Sequence, residues 1–169
     1  PLQVAQAYQY LAADGHLLPL SSVTAVIDRN GRAVSRYRAP QGAGELVEAA
    51  RLVSYAMQEG SRSGTGAALV GLGLGHLHVA GKTGTAWKAS AGEYTTDRYL
   101  AVFAGLVPAS QPRLAAVVMI DEPGGGLYYG GDVAAPVFGA VMAGALRLLS
   151  VAPDNLEPLA PVTVAEALP

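Results

Sequence analysis

Apolar residues recur every three to four positions in three stretches of the chain. This spacing places them on one side of a helix and predicts helices over residues 2–13, 45–59 and 132–149, with Gly60 ending the second and Asp132 as the N-cap of the third. The expected buried stripe of the second helix consists of Leu46, Ala49, Ala50, Val53 and Met57. The expected stripe of the third consists of Val137, Val141, Ala145 and Leu149, with Phe138 and Met142 beside it.

Between the helices the pattern changes to short runs that are typical of strands. Residues 23–27 and 33–37 flank the turn Asp-Arg-Asn-Gly and predict a hairpin. Residues 76–88, 99–107 and 113–120 predict three more strands, and the short turn between the last two favours antiparallel pairing. Strands with helices before and after them indicate an α+β fold, in which helices cover an antiparallel sheet.

The composition favours one folded domain. Hydrophobic residues make up 51 % of the 169 residues and charged residues 14 %, so the chain can bury a core. A formal net charge of −2 without any Lys/Arg run gives no electrostatic basis for binding nucleic acid, and the absence of cysteine excludes disulfides and thiolate metal sites. We expect a domain portion over residues 1–151 and a proline-rich tail over residues 152–169.

The stretch that carries candidate chemistry is Lys-Thr-Gly-Thr at residues 82–85, inside a predicted strand. On a strand Thr83 and Thr85 point to one face, and Lys82 and Gly84 point to the other. Two hydroxyls on one face can bind a carboxylate beside the ammonium, and the glycine allows a ligand to approach closely. An edge strand can also pair with an extended peptide or direct N–H groups at an oxyanion. By itself, however, Lys-Thr-Gly is more often an ordinary surface turn.

In its context this run resembles the third motif of penicillin-binding proteins and serine β-lactamases, whose set is Ser-x-x-Lys, Ser-x-Asn and Lys-Thr-Gly. Similarity to class B penicillin-binding proteins extends along nearly the whole chain, and its last segments are most similar to the division-specific transpeptidases of that class. The matching segments, in order, are residues 1–15, 64–68, 79–86, 103–105, 120–123 and 128–138.

This resemblance implies a peptidoglycan D,D-transpeptidase. In this family the D-Ala-D-Ala end of a stem peptide acylates an active serine, and the acyl group is then passed to an amine on a neighbouring peptidoglycan strand. β-Lactams mimic that dipeptide and leave a slowly hydrolysed acyl-enzyme. By resemblance Thr83, Gly84 and Thr85 bind substrate, the backbone N–H of Thr85 forms half of the oxyanion hole, and Lys82 supports the electropositive site.

The resemblance extends to aromatic residues and to a loop. Tyr99, Tyr128 and Tyr129 are similar to an aromatic wall that packs on substrate or β-lactam side chains, although aromatic residues in strands are more often simple core. The segment between residues 88 and 99 is expected to be a mobile loop over the site, with Gly92 as a hinge.

Two of the three family motifs are absent from the chain. No serine is followed by lysine three positions on, and none is followed by asparagine two positions on. Acyl transfer requires an activated nucleophile, so we expect this chain alone to be inactive. In the family those motifs precede the helix at which the chain starts. We therefore expect a fragment beginning at Pro1 that requires the N-terminal part of the same domain.

The resemblance further implies the biological setting. Stem peptides and β-lactams are the expected ligands, divisome proteins are expected partners, and no cofactor or metal is expected. The expected location is the periplasmic face of the bacterial inner membrane, with an anchoring helix outside this chain. Two alternatives stay open. The first is a serine β-lactamase or penicillin-sensing receptor, and rapid multiple turnover of nitrocefin would favour the lactamase. The second is a non-catalytic binding module without any Ser-x-x-Lys upstream.

Three other patterns are weaker candidates. The glycines at residues 71–75 lack the following helix of a dinucleotide loop. His76 and His78 share a predicted strand face but have no third ligand nearby, which favours a structural or surface role. Asp121 and Glu122 are adjacent on a strand, so they are expected to face opposite ways at a solvated strand end.

Overall fold

The computed structural model describes residues 1–38, 44, 46–67, 69, 78–90, 93–152 and 154. The elements, in chain order, are α1 (Leu2–Ala12), β1 (Ala25–Ile27), β2 (Ala33–Arg36), α2 (Val47–Ser63), β3 (Ala80–Ser90), β4 (Glu93–Val107), β5 (Leu114–Asp121) and α3 (Gly130–Leu148). The strands form two antiparallel sheets, a β1–β2 hairpin and a three-stranded sheet in the order β3–β4–β5. The predicted α+β class is confirmed.

The core forms around β4, the central strand of the larger sheet. Phe103 and Val107 point to one face, where the Phe103 ring meets Phe138 of α3 with 4.8 Å between ring centroids. Ala104 and Leu106 point to the opposite face and are also buried. Helix α1 packs against β4 and β5, while α2 packs against β3. Burial on both faces explains why β4 is apolar almost continuously in its second half.

The buried side of α3 differs from the predicted stripe. Three of the expected core residues are largely exposed, with values of 42 % for Val137, 55 % for Val141 and 56 % for Leu149. Apart from three glycines, the buried residues of the helix lie on the neighbouring face: Ala134, Ala135, Phe138, Met142 and Leu146. Contact between Phe138 and Phe103 sets the rotation of the helix, and the sequence pattern alone cannot specify that contact.

The start of α3 also differs from the prediction. The helix begins at Gly130, its N-cap is Tyr129, and no side chain caps it. The N–H of Asp132 already donates to the Tyr129 carbonyl at 2.9 Å, so Asp132 lies in the first turn. Its carboxylate still lies near the positive end of the helix dipole, where a negative charge is favourable.

Helix α2 is longer than predicted. It continues through Gly60 to Ser63, and the N–H of Gly64 closes it on the Gly60 carbonyl at 3.0 Å. An interior glycine only weakens a helix, so Gly60 does not stop it. The expected stripe is partly wrong, because Ala50 is buried whereas Val53 is 45 % exposed.

The predicted loop between residues 88 and 99 is mostly strand. β3 continues to Ser90 and β4 begins at Glu93, with Ser90 and Glu93 in register. The expected hinge Gly92, the glycines at residues 71–75 and His76 lie outside the described residues, as does most of the tail.

Within the described part of the chain, α3 alone is long and apolar enough to cross a membrane. Its Phe138 and Met142 are buried in the same hydrophobic cluster as Phe103 of the sheet. This packing makes α3 a core helix, as its sequence predicts.

Truncating one member of the aromatic pair tests this core. Replacing Phe138 with Ala should lower the free energy of unfolding by about 3–5 kcal/mol, because a cavity forms next to Phe103. Urea unfolding measures the change. Tyr55→Ala is the matched control: Tyr55 is 62 % exposed on α2, and its loss should cost less than about 1 kcal/mol. Equal losses in the two variants would contradict the assigned core.

Candidate functional site

A cleft of about 340 Å³ lies where β3 meets the segment after α2 and the first turn of α3. Side chains from three parts of the chain line it: Thr65, Thr83, Thr85, Tyr129 and Asp132. The structure thus brings both threonines of the Lys-Thr-Gly-Thr run together with one of the predicted aromatic residues.

The two threonines of β3 occupy alternate positions and share a face, as strand periodicity predicts. The Thr83 and Thr65 hydroxyl oxygens are 2.8 Å apart. The Thr85 hydroxyl accepts a hydrogen bond from the N–H of Gly130 at 3.1 Å. Both hydroxyls are therefore held by neighbouring elements, which limits their rotation before any ligand binds.

Lys82 starts from the opposite face of β3, but its ammonium folds back toward Thr83. It donates to the Thr83 carbonyl at 3.0 Å and lies 3.5 Å from the Thr83 hydroxyl. The positive charge therefore lies beside the threonine pair, although Lys82 does not line the cleft. This placement makes the neighbourhood of Thr83 electropositive.

The first turn of α3 closes one side of the cleft through two glycines. A Cβ on Gly130 would lie 2.5 Å from the Gly84 carbonyl oxygen, and one on Gly131 would lie 2.5 Å from the Thr65 carbonyl oxygen. Real Cβ atoms do not approach so closely, so only glycine allows these contacts of the helix with the β3 backbone and with the segment after α2. The positive end of the helix dipole consequently lies at the cleft.

The three predicted tyrosines form one continuous row that ends at the cleft. Tyr99 stacks on Tyr128 with 4.2 Å between centroids and 14° between planes. Tyr128 contacts Tyr129 at 4.5 Å, and Tyr129 is 57 % exposed and lines the cleft. A hydrogen bond from the Tyr128 hydroxyl to the Tyr129 hydroxyl, 3.4 Å long, raises the pKa of Tyr128 above its usual 10.0.

Behind this row lies an ion cluster that strand periodicity did not predict. Lys88 of β3 contacts Asp121 at 2.8 Å and Glu122 at 2.7 Å, so the two carboxylates converge instead of facing opposite ways. Glu122 has a φ of 49°, which ends the alternation of β5. Hydrogen bonds to Asp121 and Glu122 raise the pKa of Lys88. The Glu122 N–H also donates to the Tyr99 carbonyl at 3.0 Å, which links the cluster to the tyrosine row.

Sequence patterns did not identify every residue at the cleft. Thr65 belongs to a segment with family similarity but had no predicted role, and Asp132 was expected to act only as a helix cap. His78, weighed as a metal ligand, has its ring Nδ1 2.9 Å from the Gln58 amide nitrogen. Within the described ranges, no group of three His, Asp or Glu residues is placed to hold a metal ion.

The profile of the family described as "Penicillin binding protein transpeptidase domain" matches residues 1–143. The chain belongs to this transpeptidase family. It is 40 % identical over 155 residues to the probable peptidoglycan D,D-transpeptidase PbpC of Pseudomonas aeruginosa, covering 92 % of this chain and 25 % of that protein. It is 39 % identical over 159 residues to the peptidoglycan D,D-transpeptidase FtsI of Escherichia coli, covering 92 % of this chain and 24 % of that protein.

Solved structures of the transpeptidase family share the fold. The transpeptidase domain of Burkholderia pseudomallei penicillin-binding protein 3 superposes with a TM-score of 0.70 and 30 % identity, over 91 % of this chain and 44 % of that one. Mycobacterium tuberculosis penicillin-binding protein 3 complexed with ampicillin superposes with a TM-score of 0.74 and 26 % identity. This match covers 93 % of this chain and 36 % of that one. The chain spans about a quarter of the length of its curated relatives, at 25 % and 24 %.

A pair of glycine substitutions in one helix tests the contact between α3 and the segment after α2. Gly131→Ala should lower the free energy of unfolding by about 1–3 kcal/mol, because its methyl group would overlap the Thr65 carbonyl. Gly144→Ala, with no atom within 4 Å of the added carbon, should be neutral or stabilising by about 0.5–1 kcal/mol. Urea unfolding compares them, and a neutral Gly131→Ala would contradict the assigned contact.

The tyrosine row makes a prediction about pH. Because its pKa is raised, Tyr128 stabilises the fold below pH 10.0, and this contribution is lost as pH rises through the pKa in the folded protein. Tyr129→Phe removes the hydrogen-bond acceptor and should move the pKa of Tyr128 back toward 10.0. NMR titration of ¹³C-labelled tyrosine measures it, with Tyr55→Phe as the control. An unchanged pKa of Tyr128 in the Tyr129→Phe variant would show that this hydrogen bond is not the cause of the raised pKa.

Proposed function

We propose that this chain is the substrate-binding portion of a peptidoglycan D,D-transpeptidase. The parent protein would cross-link stem peptides through a serine acyl-enzyme during septal cell-wall synthesis and would be a target of β-lactams. One observation carries the proposal: the Thr83 and Thr85 hydroxyls face one cleft beside the start of α3. Membership in the transpeptidase family and the names of the two curated relatives support it.

The cleft suits the carboxylate of a D-Ala-D-Ala peptide or of a β-lactam. The Thr83 and Thr85 hydroxyls can both donate to carboxylate oxygens, and the Lys82 ammonium adds a positive charge nearby. Gly84 has only Val102 within 4 Å of a hypothetical Cβ, at 3.7 Å. That position faces away from the threonine pair, and the protein itself has room for a side chain there, so packing within the chain does not require the glycine.

We assign the backbone N–H of Thr85 as one donor of the oxyanion hole. β4 is the one neighbour of β3 among the described strands. On such an edge strand, alternate backbone groups point away from the sheet and can bind an extended peptide or an oxyanion. Tyr129, supported by Tyr128 and Tyr99, would pack on the side chain of the substrate or drug.

The nucleophile and the second motif would come from the N-terminal part of the same domain. Two surfaces among the described residues could contact that part of the domain. β5 pairs with β4 alone among the described strands, and the outward residues Val137 and Val141 of α3 are 42 % and 55 % exposed. An open strand edge beside apolar side chains can accept another strand and helix.

We also propose the domain division at residue 151, the periplasmic location at the inner membrane and the divisome partners. The division needs one refinement, because Asp154 at the start of the tail is bound to the sheet end. Its carboxylate accepts from the N–H groups of His78 at 3.1 Å and Ala109 at 3.2 Å. Similarity to the division-specific transpeptidases supports the cellular setting.

Labelling with a fluorescent penicillin tests the function. The full-length gene product should be labelled covalently at a serine preceding this segment, whereas residues 1–169 alone should not be labelled, because they lack Ser-x-x-Lys. Mass spectrometry locates the label. A full-length protein that stays unlabelled would refute the proposal, and rapid multiple turnover of nitrocefin would favour a β-lactamase instead.

The threonine pair should control capture of the carboxylate. In the full-length protein, Thr83→Val or Thr85→Val should slow acylation by benzylpenicillin by about tenfold or more, because each removes a hydrogen bond to a charged group. Stopped-flow measurement of the second-order acylation rate tests this. Thr24→Val is the matched control, since Thr24 is exposed beside the β1–β2 hairpin, and its rate should not change. Wild-type rates in all three variants would exclude the assigned roles.

A further inference from the structure

The hydroxyl of Thr65 lies at the same cleft as the Lys-Thr-Gly-Thr strand. Its Oγ1 atom is 2.8 Å from the Oγ1 atom of Thr83, a normal hydrogen-bond distance between hydroxyls. Thr65 follows the end of α2, so this bond connects the helix end with β3. Both residues line the cleft, which makes the pair accessible to a ligand.

The backbone around Thr65 is held from two sides. α3 packs so closely on the Thr65 carbonyl that a Cβ on Gly131 would lie 2.5 Å from its oxygen. The next residue, Gly66, packs on α2, where a Cβ would lie 3.0 Å from the Ser61 Cα atom. The Ser61 hydroxyl in turn donates to the Gly81 carbonyl of β3 at 3.4 Å. These contacts keep the Thr65 hydroxyl next to Thr83.

The direction of the hydrogen bonds follows from what each group can donate. A hydroxyl has one proton and two acceptor lone pairs, whereas an ammonium can only donate. The Lys82 ammonium lies 3.5 Å from the Thr83 oxygen, on which it acts as a donor. When Thr65 also donates to that oxygen, both lone pairs of Thr83 are occupied. The Thr83 proton is then available for an acceptor in the cleft.

We propose that Thr65 is a positioning residue for the substrate carboxylate: it donates to Thr83 and thereby directs the Thr83 proton at the carboxylate of a D-Ala-D-Ala peptide or β-lactam. This inference rests on the proposed transpeptidase function and extends it to a hydroxyl outside the Lys-Thr-Gly motif. Hydrogen bonds arranged in a chain polarise one another, so Thr65 should strengthen the bond that Thr83 makes to a carboxylate.

A double-mutant cycle in the full-length protein tests the inference. The second-order rate of acylation by benzylpenicillin is measured for Thr65→Val, Thr83→Val and the double variant. Thr65→Val should lower the rate by about five- to tenfold, the effect of losing one hydrogen bond. Because Thr65 acts through Thr83, the double variant should be no slower than Thr83→Val alone. Thr65→Ser keeps the hydroxyl and should restore the rate to within about twofold of wild type.

Controls separate positioning from folding. Thr24→Val makes the same chemical change at an exposed residue away from the cleft and should leave the rate unchanged. The thermal midpoint of every variant is measured alongside the rate. An unchanged rate in Thr65→Val, additive losses in the double variant, or no recovery in Thr65→Ser would each overturn the role of Thr65. A wild-type protein that benzylpenicillin does not acylate would instead refute the proposed function itself.

Discussion

The site depends on the direct contact between the first turn of α3 and the backbone of β3. Gly130 and Gly131 carry no side chains, so the helix can approach the strand and the Thr65 segment at backbone distance. This approach allows the Gly130 N–H to bind the Thr85 hydroxyl. The packing of Phe138 on Phe103 holds the same helix further along, which couples the cleft to the hydrophobic core.

Positive and negative groups both lie at the cleft. The helix dipole points its positive end at the cleft, and the Lys82 ammonium lies beside Thr83 on the outer side. Asp132 contributes a carboxylate at the same helix turn and balances part of this field. A second cation, Lys88, is held by Asp121 and Glu122 at the far end of β3 and is therefore less available to a ligand.

Local pattern was enough to predict the features that depend on strand periodicity. The shared face of Thr83 and Thr85, the α+β class and the antiparallel pairing of β4 with β5 follow from residues that are close in sequence. The rotation of α3 could not be predicted in this way, because both Phe138 and Val137 are apolar and only the contact with Phe103 decides between them. The convergence of Asp121 and Glu122 on Lys88 required a positive φ at Glu122. The bond between Thr65 and Thr83 joins residues 18 positions apart, and no local pattern encodes it.

The carboxylate of Asp154, beyond the last helix, is bound at one end of the three-stranded sheet. The last residue that lines the cleft is Asp132, yet the N–H groups of His78, Ala109 and Ser110 all point at Asp154. His78 is two residues before β3, and Ala109 and Ser110 form the turn between β4 and β5. One acidic side chain beyond the last helix therefore binds the ends of all three strands at one side of the sheet. A chain shortened at residue 151 would remove this acceptor from the N–H groups of His78 and Ser110, whereas the Ala109 N–H would keep its hydrogen bond to the His78 carbonyl at 2.9 Å.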